Sequence, residues 1–344
     1  MMDNMIIGGD FSTNPWQRGT VFSPYISGMY TADRWRCGLV GSGAFTVAKS
    51  GDVPANMPIN SASLKITVTA VDGSFSSGEI YELLHLVEGY NFAPYAQQDT
   101  VLSFWVKATV PGVYCIASHN AGADKTHLAE YTVNTANTWE YKIVNIPASP
   151  ATGAWNYTTG IGITAQFMLG AGPNFVGTAG WQNGGLYVTA NQVNAMANIG
   201  NTFQLFDVKW QLGNVPIDTT SRSRQEELLL CQRYFYKTFP QGYNPRQAIG
   251  FSDGAIAYRA NINGVNNAGV LLRYPVEMRS TPTITPYSPF AYNGNWFNQS
   301  LGISSGTFSA SNTAPNSVFA NNVQTPSDSV GCFMLIHLTA ESEL

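Results

Sequence analysis

The sequence predicts a mainly β protein: an N-terminal jelly roll or β-sandwich, one connecting α-helix, and a smaller C-terminal β-sandwich domain. Three observations predict it. Turn signals recur about every 10 residues between short alternating runs, the spacing of a sandwich or jelly roll. Only 11% of the 344 residues are charged, whereas 44% are hydrophobic and 12% aromatic. Such a chain can build real cores while Gly, Asn, Ser and Thr cover its surface. Third, a single convincing helical pattern stands between two β-rich regions, inside Leu205–Phe239. A prior of roughly 150 residues per domain gives about two domains, divided as 1–213, a linker and helix over 214–239, and 240–344.

Residues 1–60 are broken by Gly, Pro and Asn, with short strands expected at Met5–Ile7 and Phe45–Ala48. From Leu64, apolar Leu64, Ile66 and Val68 alternate with polar residues, as in a half-buried strand. Ile80–Val87 is ambiguous. Ile80, Leu83, Leu84 and Val87 would share a helical face, but the shortness of the run and its Gly-bounded ends favour a strand. Thr100–Ala108 and Gly112–Ser118 read as paired strands around a Pro111-Gly112 turn. Trp139–Ile146, Ile161–Leu169, Gly185–Thr189 and Thr202–Leu212 complete the first set. Trp16, Trp35, Trp105 and Trp139 read as core.

Asn214–Ser221 is a linker. Ser223 and Glu226 then form a capping box, in which each side chain satisfies a free backbone N–H at the helix start. On a helical wheel Leu228, Leu229, Leu230, Cys231, Tyr234, Phe235 and Tyr236 cover most of the circumference, leaving Glu226, Arg233 and Lys237 as a narrow polar stripe. So apolar a helix needs cover on nearly every side. Leu228, Leu230, Cys231, Tyr234 and Phe235 are therefore the expected inter-domain or oligomer contacts, and the sequence leaves those two alternatives open. After Pro240, strands are expected at Ala255–Ile262, Gly269–Arg273 and, as a central strand, Gly331–Thr339. Thr281–Pro289 carries three prolines and belongs on an edge or in a loop.

No catalytic signature emerges, and no enzyme activity is expected. Gly302-Ile-Ser304-Ser-Gly306 matches G-x-S-x-G but lies in Gly/Ser/Asn surroundings without the helix that a nucleophile elbow requires. Candidate acids Glu82, Glu88, Asp99, Glu130 and Asp253 are not paired by any spacing a glycosidase would need. His119 and His127 flank a loop and offer one metal-site candidate. Asp10 and Asp207 offer another, for Ca²⁺ through hard oxygen ligands, against simple turn capping by Asp. No other cofactor is implied. Cys37, Cys115, Cys231 and Cys332 are widely spaced, which suits buried reduced thiols rather than zinc or redox motifs. A net charge of −4 and a pI near 5.5, without any Lys/Arg run, argue against nucleic acid. No apolar run approaches the ~20 residues that span a bilayer, and the N-terminus lacks the basic region of a signal peptide.

The aromatics point furthest towards a ligand. Sugar sites combine flat rings with a few polar groups, the general make-up of ligand pockets. Three loop-like segments carry that mixture: residues 154–157 with Trp155 and Tyr157, residues 180–183 with Trp181, and residues 290–299 with Tyr292, Trp296 and Phe297. The alternative is that these rings fill loop cores.

Asn14-Pro-Trp16-Gln-Arg-Gly19 and Thr31-Ala-Asp33-Arg-Trp35 resemble the start of a family of phage and prophage tail-fibre or minor structural proteins. Glu88-Gly-Tyr90, Ser103-Phe-Trp-Val-Lys107, Phe206-Asp-Val-Lys-Trp-Gln-Leu212, Glu226–Tyr236, Arg273–Pro282 and Leu338–Leu344 continue the resemblance in the same order. It implies an N-terminal jelly roll like a carbohydrate-binding module, in a virion component: a fibre, spike or head appendage, usually a homotrimer. Host surface polysaccharide and other virion proteins would be its partners. A virion location, after assembly in the host cytoplasm without a signal peptide, fits the N-terminus. The alternative is a structural decoration or fibre-connector protein that binds no glycan; a polysaccharide depolymerase is a third reading.

Overall fold

In a computed structural model, residues 4–217, 221–259, 268–323 and 331–344 are described. The chain forms two compact units. The first comprises residues up to Trp16, Thr20–Glu227 and Leu344, and the second Gln17–Gly19 with Leu228–Glu343.

The first unit runs through β1 (Val21–Phe22), β2 (Trp35–Val40), β3 (Ala44–Ser50), β4 (Ser63–Ala70), β5 (Ile80–Glu88), β6 (Thr100–Ala108), β7 (Gly112–His119), β8 (Lys125–Val133), β9 (Glu140–Ile146), β10 (Ile161–Ala171), β11 (Val176–Gly177), β12 (Gly180–Asn183), β13 (Val188–Thr189) and β14 (Thr202–Leu212). Two six-stranded sheets result, ordered β1-β3-β4-β14-β6-β9 and β12-β8-β7-β10-β5-β2. Their inner faces meet in one core that includes Trp35, Phe45, Phe104, Phe167, Leu205 and Trp210. This is a jelly-roll β-sandwich, as the turn spacing predicts.

β6 and β7 do not pair with each other: β6 lies between β14 and β9, and β7 between β8 and β10. The expected hairpin is instead a corner at which the chain changes sheets, with Gly112 at φ +133. The segment Met5–Ile7 is buried without becoming a strand, and its Met5 N–H donates to Trp210 O at 3.0 Å.

The two outer faces differ. The outer face of the β12-to-β2 sheet carries Cys115, Ala117, Leu128 and Met168, which form a second small core with Val188, Leu186 and Tyr187 from the segment between β10 and β14. That part of the face is closed. On the other sheet Phe206 of β14, Trp105 of β6 and Tyr141 of β9 form one cross-strand row.

In the second unit, the C-terminal strand Phe333–Glu341 is central. Strands Phe235–Lys237, Ile256–Arg259, Thr283–Tyr287 and Phe297–Asn298 all pair with it. A three-stranded sheet of Ala268–Arg273, Ser317–Asn322 and Phe308–Ala314 completes the unit, around a core with Met278, Trp296, Val318, Met334, Ile336 and Leu338. The last residues expected in the strand to Ile262, the turn after them, and residues 218–220 of the linker lie outside the described residues.

The helix is Arg224–Gln232, shorter than the wheel predicts. Its capping box is present: Ser223 N–H donates to Glu226 Oε2 at 2.8 Å and Glu226 N–H to Ser223 Oγ at 3.2 Å. Beyond Gln232, the aromatic run leaves the helix and Phe235–Lys237 becomes a strand, consistent with the β preference of aromatics. The polar stripe is corrected accordingly. Lys237 is buried, its Nζ donating to Gln17 O at 2.8 Å and Tyr243 O at 2.6 Å. Leu229 is 38% exposed, and Leu228 and Leu230 are half-buried; Cys231, Tyr234 and Phe235 are buried.

Candidate ligand-binding face

The open face of the first unit is built by β14, β6 and β9. In β6, Phe104 and Val106 are in the core, so Ser103, Trp105 and Lys107 project outwards. Trp105 pairs in register with Tyr141 of β9 and Phe206 of β14. The Trp105 and Tyr141 rings lie 5.3 Å apart at 51°, and Tyr141 is 43% exposed. A bulge in β14 falls between Phe206 and Lys209, with Asp207 at φ +50. Bulges re-aim side chains and recur beside binding sites. Here the bulge sets Lys209 opposite Ser103, and its Nζ is 3.0 Å from Asp207 Oδ2.

These residues border a cleft of about 650 Å³ lined by Trp105, Tyr141, Asp207, Lys209, Met57, Pro216 and Ile217. One strand row away, Asp52 accepts from Lys107 Nζ at 2.8 Å, Trp139 Nε1 at 3.1 Å and Gln204 Nε2 at 3.1 Å. Burial pushes the Asp52 carboxyl up, but these hydrogen bonds outweigh it and hold it below the usual carboxylate range. The carboxylate is thus a fixed anion that pins Lys107 and the Trp139 indole. Trp105 and Trp139 are half-buried, a correction to their expected place in the core. The missed signal is the alternation in Ser103-Phe-Trp-Val-Lys107: a tryptophan two residues from a lysine and from a serine belongs to the polar side of its strand.

The remaining aromatics are arranged differently, and Trp181, expected in a loop, lies on β12 in register with His127 of β8. Trp155 stacks on buried Phe92 at 5.2 Å and meets Trp181 edge-on at 5.9 Å, and Trp181 packs against His127 at 5.2 Å. Their indole N–H groups donate to Thr152 O at 3.1 Å and Pro147 O at 2.9 Å. Both rings pack onto the main core, the loop-filling alternative. Tyr157 lies over Phe92 at 6.1 Å and is 39% exposed. In the second unit Tyr292 is 90% exposed, but Trp296 is fully buried with its Nε1–H donating to Asn321 O at 2.8 Å. Phe297 is buried against Phe290 at 4.7 Å. Trp296 and Phe297 are core residues rather than ligand contacts, since neither presents a ring face to solvent.

The metal candidates are engaged elsewhere. Asp10 Oδ1 accepts from Ser12 N–H at 2.9 Å, the turn-capping alternative, and Asp207 faces Lys209. His119 and His127 lie on opposite faces of their sheet. His119 accompanies Cys115 and Ala117, while His127 accompanies Ala129 and Tyr131; burial pushes His127 down to about 4. Among the described residues, no group of three or more His, Cys, Asp or Glu side chains could hold a metal. The described residues also contain no helix long and apolar enough to cross a membrane.

The fold and this face define a jelly-roll sandwich with an aromatic-bordered cleft on one open sheet. No family model and no curated protein matches the chain. Solved structures do. TmCBM61 in complex with beta-1,4-galactotriose is 13% identical, covering 61% of this chain and 99% of its own at a TM-score of 0.29. A family 11 carbohydrate-binding module from Clostridium thermocellum, in complex with a beta-1,3-1,4-mixed-linked tetrasaccharide, is 8% identical, covering 58% and 99% at 0.30. The K1 cleaved adhesin domain of Lys-gingipain from Porphyromonas gingivalis W83 is 14% identical, covering 57% and 99% at 0.28. At such values the sandwich assignment rests on this chain's own strand pairing and the site on its own residues.

Proposed function

We propose that the first unit is a non-catalytic carbohydrate-recognition module that binds a polysaccharide chain on the open face of β14, β6 and β9. The observation that carries this reading is the Trp105–Tyr141 pair bordering a 650 Å³ cleft. Flat rings suit the apolar faces of sugars, and the neighbouring Lys, Asp and Gln groups suit their hydroxyls. The charges lining the cleft are Lys209 and Asp207, 3.0 Å apart, which favours an uncharged chain.

The finer role proposed is that of a virion appendage adhering to host surface polysaccharide, supported by the ordered motif resemblance from Asn14 to Leu344. A homotrimer and association with other virion proteins belong to the same proposal. Affinity electrophoresis through a panel of soluble polysaccharides tests the binding reading. At least one polymer should retard the wild-type protein, and Trp105→Ala should abolish that retardation while Trp155→Ala keeps it. Retardation that survives Trp105→Ala and vanishes in Trp155→Ala would return the site to the loops.

A further inference from the structure

One wall of the cleft is made by the chain that leaves the sandwich. After β14, residues Gly213–Ile217 turn back beside their own sheet. Gly213 N–H donates to Asp99 O at 2.8 Å. The Gln211 side chain then grips a single residue from both sides. Its Oε1 accepts from Ile217 N–H at 3.1 Å, and its Nε2 donates to Ile217 O at 3.1 Å. Gln211 is itself buried, at 2% exposure, so this amide is a fixed clamp.

The clamped residue presents an unusual combination. Ile217 has both backbone polar groups fixed, yet the residue is 63% exposed and borders the cleft with Pro216, lining the same space as Trp105 and Tyr141. Ordering a backbone costs conformational entropy, and burial of an isoleucine side chain is the usual compensation. Here the side chain remains in solvent. The clamp therefore fixes an apolar group where a bound molecule would cover it.

We propose that Gly213–Ile217 is a ligand-contacting wall of the glycan site, with Ile217 a contact residue and Gln211 a positioning residue that holds it. The inference rests on the binding reading above and adds a consequence: the segment that departs from the sandwich senses whether the site is filled. A sugar ring lying between Trp105 and Ile217 excludes water from the Ile217–Gln211 hydrogen bonds and slows their opening.

The experiment uses the full chain and the polysaccharide that retards it in the electrophoretic panel. Amide hydrogen exchange of the peptide covering residues 213–217 is followed with and without saturating polymer, for wild type, Gln211→Ala, Ile217→Ala and Trp105→Ala. In wild type, bound polymer should slow exchange in this peptide at least tenfold. Ile217→Ala should weaken binding about fivefold without altering the melting temperature, because the side chain is exposed. Gln211→Ala should speed exchange of the free protein and weaken binding, the effect passing through the wall. Polymer that binds in a Trp105-dependent way but leaves exchange at 213–217 unchanged, with Ile217→Ala binding like wild type, overturns this inference and leaves the site standing. Polymer binding that ignores Trp105→Ala, or no binding by any polymer, overturns the site reading, and this inference with it.

Discussion

Glu82→Gln should remove a pH-dependent loss of stability from the first unit. Glu82 lies on β5, in register with Met168 of β10. It is 8% exposed, its Oε2 has no hydrogen-bond partner, and its Oε1 stands 2.6 Å from the place a Cβ on Gly38 would occupy. Burial pushes its carboxyl from 4.5 to about 7, against an opposing pull from Arg36. A carboxyl raised on folding contributes stability that is present below its unfolded value and is lost as pH rises through the folded one. The window therefore runs from about pH 4.5 to about pH 7. At roughly 1.4 kcal/mol per pH unit, the displacement amounts to about 3 kcal/mol. The buried histidines act in the opposite sense. Burial depresses His85, His119 and His127 in this unit, so their contribution is present above the ordinary histidine value and lost as pH falls. Wild type alone would show the balance of the two. The difference between wild type and Glu82→Gln isolates the carboxyl, because the histidines and the constant cost of burying an amide both cancel. Seven of the eight tryptophans lie in the first unit, so urea unfolding followed by indole fluorescence reports on it. Between pH 5 and pH 8 the variant should gain about 3 kcal/mol relative to wild type. Parallel stability–pH curves for the two proteins would refute the claim that burial raises the Glu82 carboxyl on folding.

Three further outcomes follow from the same geometry. Trp296→Ala should destabilise the second unit by about 3–5 kcal/mol, because the ring is fully buried and bonded to Asn321; calorimetry should show one transition moving while the first unit's stays in place. Ser223→Ala should cost about 1 kcal/mol and speed exchange of the Glu226 amide, whose hydrogen bond it removes. Leu229→Asp should change stability by less than about 0.5 kcal/mol, since that leucine is 38% exposed; aggregation or unfolding of this variant in sedimentation would show that the face is covered.

Much of the sandwich was legible because burial on one face imposes period two on a strand. Thr202–Leu212 is found with the boundaries expected, and Ile80–Glu88 resolves as a strand despite its helical matches. Pairing was less legible. Pro111-Gly112 marks a turn in either case; whether the chain returns along the same sheet or crosses to the other depends on what lies opposite, and nothing local records it. The helix shows the same limit. Ser223 and Glu226 fix its start through contacts three residues apart, but its end at Gln232 depends on Phe235–Lys237 pairing with Thr339–Glu341, about a hundred residues later in the sequence.

The candidate site inverts the usual search for binding aromatics. Rings in loops attract attention because loops often carry function, yet in this chain Trp155, in a loop, and Trp181, on β12, donate to nearby carbonyls and lean on Phe92 and His127. The Trp105–Tyr141 pair that borders the cleft sits on β6 and β9, where tryptophan reads as core. What separates Trp105 from a core residue is the company on its own side of β6: Ser103 and Lys107 within the strand, then Tyr141 across it. That company was present in the sequence for β6 alone. The partner strand was not, because β9 reaches Trp105 only through sheet order, and the bulge at Asp207 that turns Lys209 towards Ser103 leaves no mark in a pattern of residue types. A face assembled from three strands becomes visible only when their register is known, so the cleft follows from the fold while the rings that border it follow from alternation.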